Sequence, residues 1–119
     1  MLEDNIFAKI IRKEIKADII YEDEAILAFS DINPIAPIHV LVVPKNPYIH
    51  FIDFMYNGSE KEVAQYFKAI KNVIDLLELK ENSFRMITNN GEYAGQTIMY
   101  FHVHIIGGKK LGELINEKI

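Results

Sequence analysis

The chain contains no cysteine. Disulfides and thiolate metal sites are therefore excluded, and any metal would have to be held by histidine and carboxylate. It has no apolar run long enough to span a bilayer. Its first residues, MLEDNIFAK, are acidic at the start rather than basic and then apolar as an export signal would be. We expect no membrane partner and a cytoplasmic location. Positive charge is also in short supply: 13 Lys and Arg stand against 17 Asp and Glu, a formal net charge of −4. That balance argues against binding a nucleic-acid polymer, which needs an excess of base. It leaves room for one small anionic ligand. Repeats, low-complexity tracts and linkers are missing, and 119 residues suit one domain, expected to run over 1–119.

What is present is periodicity. Ile6, Phe7, Ile10 and Ile11 fall on one face of a helix that Asp4 or Asn5 can cap. Two β-rich runs, DIIYED and AILAFSD, are split by the acidic turn EDE and read as a hairpin. INPIAP, with two prolines, must be an extended loop, and IHVLVVPK a strand ended by Pro44. The stretch from NPYIHFIDF to NGS is irregular and reads as a long loop with His50 on its surface. Ser59 and Glu62 form a capping box before a helix whose apolar stripe is Val63, Phe67, Ile70, Ile74 and Leu77. FRMITNN reads as a strand, GEYAGQT as a turn and IMYFHVHII as the longest strand. The tail KKLGELINEKI is weakly helical at best. The order αβββαββ predicts an antiparallel α+β domain.

The last strand carries the least expected composition. Side chains alternate along a strand, so Met99, Phe101, Val103 and Ile105 share a core face. Tyr100, His102 and His104 share the other face, which must meet solvent or a pocket. Paired imidazoles fit a structural role, a metal site completed by His39 and Asp31, or chemistry. The preceding stretch TNNGEYAGQT adds Asn89, Gly95, Gln96 and Thr97, amide and hydroxyl donors beside glycines that let a backbone approach an anion.

Together these segments resemble the histidine-triad (HIT) superfamily. GQTIMYFHVHIIGG looks like its signature, in which three histidines alternate with apolar residues between a Gly-Gln-Ser/Thr and a Gly-Gly. DINPIAPIHVLVVPK is similar to the family segment with an acidic residue, a Pro-rich loop and a strand-opening histidine. NIFAKIIRKEIKADIIYEDE looks like the N-terminal helix and hairpin of the Hint branch, the purine nucleoside phosphoramidases. The likeness runs from about Asp4 to Gly108. Two departures stand out: Tyr100 occupies the first triad position, and the tail lacks a Trp-Pro-Pro-like ending.

The resemblance implies a five-stranded antiparallel sheet with two helices, in a homodimer with one continuous sheet. It implies a nucleotidyl hydrolase, acting on a purine nucleotide or nucleoside phosphoramidate through a nucleotidyl-histidine intermediate, without cofactor or metal. Alternatives are a nucleotide-binding module with little turnover, a dinucleoside polyphosphate hydrolase or a nucleotidyl transferase, and outside the family a metal-dependent hydrolase using His39, His102 and His104. His102 matches the nucleophile, His104 the last triad histidine, His39 a supporting fourth histidine and Thr97 the hydroxyl near the leaving group. Asn89, Gly95 and Gln96 match phosphate-binding positions, and Asp31 can accept from ribose hydroxyls. Ile6, Phe7, Ile10, Phe29, Ile32 and Leu41 match an apolar slot for the base, although Ile10 and Leu41 equally suit a plain core.

Overall fold

The computed structural model describes residues 4–115. Its elements follow in the order α1 (Ile6–Ile11), β1 (Ile19–Glu22), β2 (Ile26–Ser30), β3 (Ile38–Pro44), α2 (Phe51–Asn57), α3 (Glu60–Leu76), β4 (Phe84–Ile87) and β5 (Val103–Gly107), with a 3₁₀ turn over Glu92–Ala94 between the last two strands. The strands form one antiparallel sheet in the order β1-β2-β3-β5-β4. The α+β class and the five strands are as expected. The described residues hold three α-helices rather than two.

The additional helix, α2, lies in the segment read as a loop. Its N-cap is His50, whose Nδ1 accepts from the Asp53 N–H at 3.1 Å, while Asp53 Oδ2 accepts from the Ile49 N–H. That is the logic of a capping box built from residues other than the usual Ser, Thr and Glu. A seven-residue helix rich in aromatics has neither the length nor the composition to announce itself. The tail forms no helix through residue 115, and its last four residues lie outside those described.

Alternation along the strands gives the sheet two different faces. Ala28, Val40, Val42, Val103 and Ile105 point to one side and pack with Phe54, Tyr66, Ile70 and Val73 in the larger core. The α3 residues with almost no exposure are Tyr66, Ala69 and Val73 together with Ile70, so the buried stripe is rotated from the expected one, and Phe67 is 45% exposed. Tyr66 reaches into the sheet and its hydroxyl donates to the Val42 carbonyl at 2.7 Å. On the opposite side Leu27, Phe29, Leu41, Val43 and Tyr100 meet Phe7, Ala8 and Ile10 of α1 in a smaller core. The histidine face is therefore roofed, and its roof is the first helix.

β5 is shorter than its sequence suggests. It starts at Val103 because the preceding residues bond elsewhere: Phe101 N–H donates to the Tyr48 carbonyl at 2.7 Å. Met99, assigned to the core by alternation, is 39% exposed, whereas Phe101 and Ile105 are buried as expected.

The capping box of α3 forms in full and has two further partners. Glu62 Oε2 accepts from Tyr48 Oη at 2.7 Å and Asn46 Nδ2 at 2.9 Å, while Oε1 accepts from Ser59 N–H. These bonds, led by the one from Asn46, hold the carboxyl down at about 2, and burial with the Glu62 contact pushes Tyr48 up to about 12. Because the folded value lies below that of the unfolded chain, the cluster stabilises fully above about pH 4.5 and loses its effect as pH falls toward 2. Urea titrations from pH 7 to 3 are expected to show stability falling across that window in the wild type, with a shallower fall in Glu62→Gln.

Candidate active site

Two histidines on one strand face are chemically identical until something assigns their protons. His102 Nδ1 lies 2.7 Å from the Tyr100 carbonyl oxygen. A carbonyl only accepts, so Nδ1 carries the proton and Nε2 keeps a free lone pair. His104 is set the other way by a longer chain of bonds. The Ile35 N–H donates to His39 Nδ1 at 3.2 Å, which leaves the His39 proton on Nε2. His39 Nε2 sits 2.9 Å from His104 Nδ1 and donates to it, so the proton of His104 is on its own Nε2. The neighbouring imidazoles thus have opposite polarity: one offers a lone pair, the other an N–H.

Burial keeps both rings uncharged. The packing of α1 over His102 lowers its pKa from the ordinary value, against opposing pulls from the Tyr100 carbonyl and Asp31. His104 is held down at about 4 by burial and then by the neighbouring histidines, His102 and His39. The ring of Phe7 meets His102 edge-on, with centroids 5.0 Å apart, and the two histidine rings lie 4.9 Å apart. The nucleophile candidate is wedged in place by Phe7, a contact between chain segments far apart in sequence.

Beside the rings opens a cleft of about 830 Å³. It is lined by Ile6, Phe7, Ile10, Phe29, Ile32 and Leu41, the residues expected to form an apolar slot, and by Asp31 and Thr97. Leu41 pairs with His104 across β3 and β5, and Asp31 Oδ2 is 3.4 Å from His39 Nε2, so the histidines adjoin its inner end. Ile32 is 90% exposed and belongs to no core, while Phe7, Ile10 and Leu41 are buried and serve core and cleft together. Asp31 Oδ1 accepts from the Asn33 N–H, which folds the proline loop back over the cleft rim. A second cleft, of about 750 Å³ beside β4, contains none of the candidate catalytic or nucleotide-binding residues.

The remaining positions form the loop between β4 and β5. Thr88 Oγ1 donates to the His102 carbonyl and Asn90 Oδ1 accepts from the Ile52 N–H, so half-buried Asn89 lies between two anchors. Ile87 pairs with His104 at the end of the ladder, and the bond from Thr88 keeps the next residues beside His102. Gly95 has φ +96, a left-handed conformation that glycine adopts freely. Gln96 is buried, and its amide is used by the backbone: Oε1 accepts from Gly91 N–H, and Nε2 donates to the carbonyls of Ile49 and Ile98. Its place is that of a loop latch beside the cleft. Tyr100 is also turned away from it, with its hydroxyl donating to the Pro44 carbonyl at 2.6 Å.

Asp31, His39 and His104 place three donor atoms within 4.8 Å of one another. This is the cluster the fold assembles; His102 is outside it, its Nδ1 committed to Tyr100. The 2.9 Å contact inside the cluster is the hydrogen bond that orients His104.

A profile of the HIT domain matches residues 12–111. The chain is 53% identical over 114 residues to an uncharacterized HIT-like protein of Rickettsia prowazekii, covering 96% of this chain and 95% of that one. It is 34% identical over 118 residues to the purine nucleoside phosphoramidase of Escherichia coli K12, covering 99% and 98%. Among solved structures, a HIT family hydrolase from Clostridium thermocellum superposes with a TM-score of 0.83 at 38% identity, over 97% of this chain and 99% of that one.

In a histidine-resolved NMR titration, His104 is expected to protonate near pH 4 and His102 below its ordinary value of about 6.5. Since both folded values lie below the unfolded one, their contribution to stability is complete above about pH 6.5 and declines as pH falls through the folded values. Titration of either ring at or above 6.5 contradicts the burial described.

Proposed function

This chain belongs to the HIT domain family, and on that premise we propose that it hydrolyses purine nucleoside phosphoramidates or related nucleotides through a covalent intermediate on His102. The observation that carries the proposal is the 2.7 Å bond from His102 Nδ1–H to the Tyr100 carbonyl. It leaves Nε2 uncharged and unshared, on a ring packed against Phe7 of the cleft wall.

In the first step Nε2 attacks the α-phosphorus, an Nε2–P bond forms, and the P–N bond to the amine breaks. The amine takes up a proton as it leaves, relayed by a hydroxyl at the position of Thr97. Water then attacks the same phosphorus, the Nε2–P bond breaks, and a proton of that water replaces the one given up. Splitting the displacement in two gives each step an easier barrier. Phosphoryl transfer depends mainly on positioning and charge stabilisation. His104 Nε2–H, Asn89 and the main chain at Gly95 supply donors for the phosphoryl oxygens, and Asp31 accepts from the ribose. His39 orients His104 through the hydrogen bond described. The scheme calls for no cofactor.

One observation favours a second reading, a nucleotide-binding module with little turnover. The side chain at the position matching the first triad histidine, Tyr100, is directed to Pro44 and is 1% exposed. We give precedence to hydrolysis because the required group at that position is its carbonyl, which any residue supplies.

We also propose a homodimer. β4 is an edge of the sheet, and Phe67, Leu76 and Met86 expose apolar surface on α3 and that edge. Two β4 edges joined would continue one sheet and cover their unpaired backbone groups.

Mixed with adenosine or guanosine phosphoramidates, the protein is expected to gain one nucleotidyl group by intact mass. His102→Ala should lack the adduct and lose activity by about a thousandfold or more. Full activity in that variant overturns the mechanism, and tight nucleotide binding with neither adduct nor turnover establishes the module. Light scattering is expected to give twice the chain mass, falling toward one chain in Phe67→Asp/Leu76→Asp; a monomeric wild type removes the dimer.

A further inference from the structure

The cleft is apolar but not uniformly so. Of the described residues lining it, three are charged: Asp31, Asp18 and Lys16. Asp31 lies beside the histidines through His39, and the other two have no part in the mechanism above.

Their position follows from the sheet. Counting outward from the histidine strand, the order runs β5, β3, β2, β1. Asp31 comes directly after β2, and Asp18 directly before β1. Adjacent strands are about 4.8 Å apart, so Asp18 lies about 14 Å from the histidine strand, three steps away. Asp18 is held there by Ser30: the Ser30 N–H donates to its carbonyl at 2.9 Å and Ser30 Oγ to its Oδ2 at 3.3 Å. A nucleotide laid across the strands with its phosphorus at His102 and its ribose at Asp31 directs its base toward the mouth of the cleft. The apolar side chains bracket the faces of the ring, and Lys16 and Asp18 meet its edge.

We propose that Lys16 and Asp18 read the edge of the purine and that the preferred base is a 6-oxopurine of the guanine type. This deepens the reading of the cleft as a purine nucleotide site and rests on it. Guanine carries an acceptor at O6 next to two donors, N1–H and the N2 amino group. A carboxylate accepts from both donors in a charge-assisted pair, and an ammonium donates to O6. Adenine turns the lone pair of N1 toward the same carboxylate and offers it the N6 amino group alone. Ser30 leaves Asp18 Oδ1 and the second lone pair of Oδ2 for the base. Both charged side chains are exposed at the rim, so solvent screens them and the discrimination is modest, about five- to tenfold.

The test compares GMP and AMP binding by calorimetry, and guanosine and adenosine phosphoramidate turnover by kcat/KM, in wild type, Lys16→Ala and Asp18→Asn. The asparagine keeps an oxygen for Ser30. Wild type is expected to favour guanosine five- to tenfold in both readouts, and each variant to narrow that ratio to within about twofold. Equal treatment of the two bases by the wild type, or a preference that survives both substitutions, overturns the assignment and leaves the purine cleft standing. Binding of neither nucleotide overturns the purine cleft itself and this assignment with it. Binding with preference but without turnover upholds the base reading and removes only the hydrolytic step.

Discussion

The structure depends on one short hydrogen bond within a three-residue stretch. His102 Nδ1–H meets the carbonyl of Tyr100, two residues earlier on the same face. The bond is local, and its acceptor is a main-chain carbonyl that any side chain at position 100 leaves in place. It fixes the ring, fixes the tautomer, and leaves Nε2 with a free lone pair. The rest of the fold makes that nitrogen useful. The burial that α1 imposes keeps the ring neutral, and the neutral ring is the nucleophilic form.

The two faces of the sheet divide the work. The larger core under α3 includes Tyr48 and Tyr66 among aliphatic and phenylalanine side chains and holds more of the buried apolar residues than the smaller one. The smaller core under α1 is incomplete on one side, and that gap is the cleft. A six-residue helix capped by Asn5 therefore serves as roof for the core, wall of the cleft and support for the His102 ring through Phe7. The polar chemistry is confined to the boundary between these regions, where the Ile35 to His39 to His104 chain of bonds spans three segments.

Much of this was legible in the sequence because it is local. The capping box at Ser59 and Glu62 and the alternation through Phe101 and Ile105 follow from neighbours within a few residues. What was not legible is long-range or compositional. α2 was hidden because histidine is an unusual cap and its aromatic residues suit a strand or a loop equally well. The short β5 reflects the competing bond from Phe101 to Tyr48. Gln96 sits in the family signature as a donor, yet its amide closes on Gly91, Ile49 and Ile98, partners that only the folded loop brings together. The contact of Phe7 with His102 joins the two ends of the chain and leaves no trace in either segment.

The alternation at positions 100 to 103 has a dynamic consequence. Tyr100 anchors in one core, Phe101 in the other, and His102 returns to the first. The segment is thus pinned on both sides just before β5, and freeing the His102 ring disturbs both interiors. Packing on both sides ties its opening to that of the two cores, although it borders an open cleft. The His102 ring thus moves with the packed interior rather than with the loops that line the cleft rim.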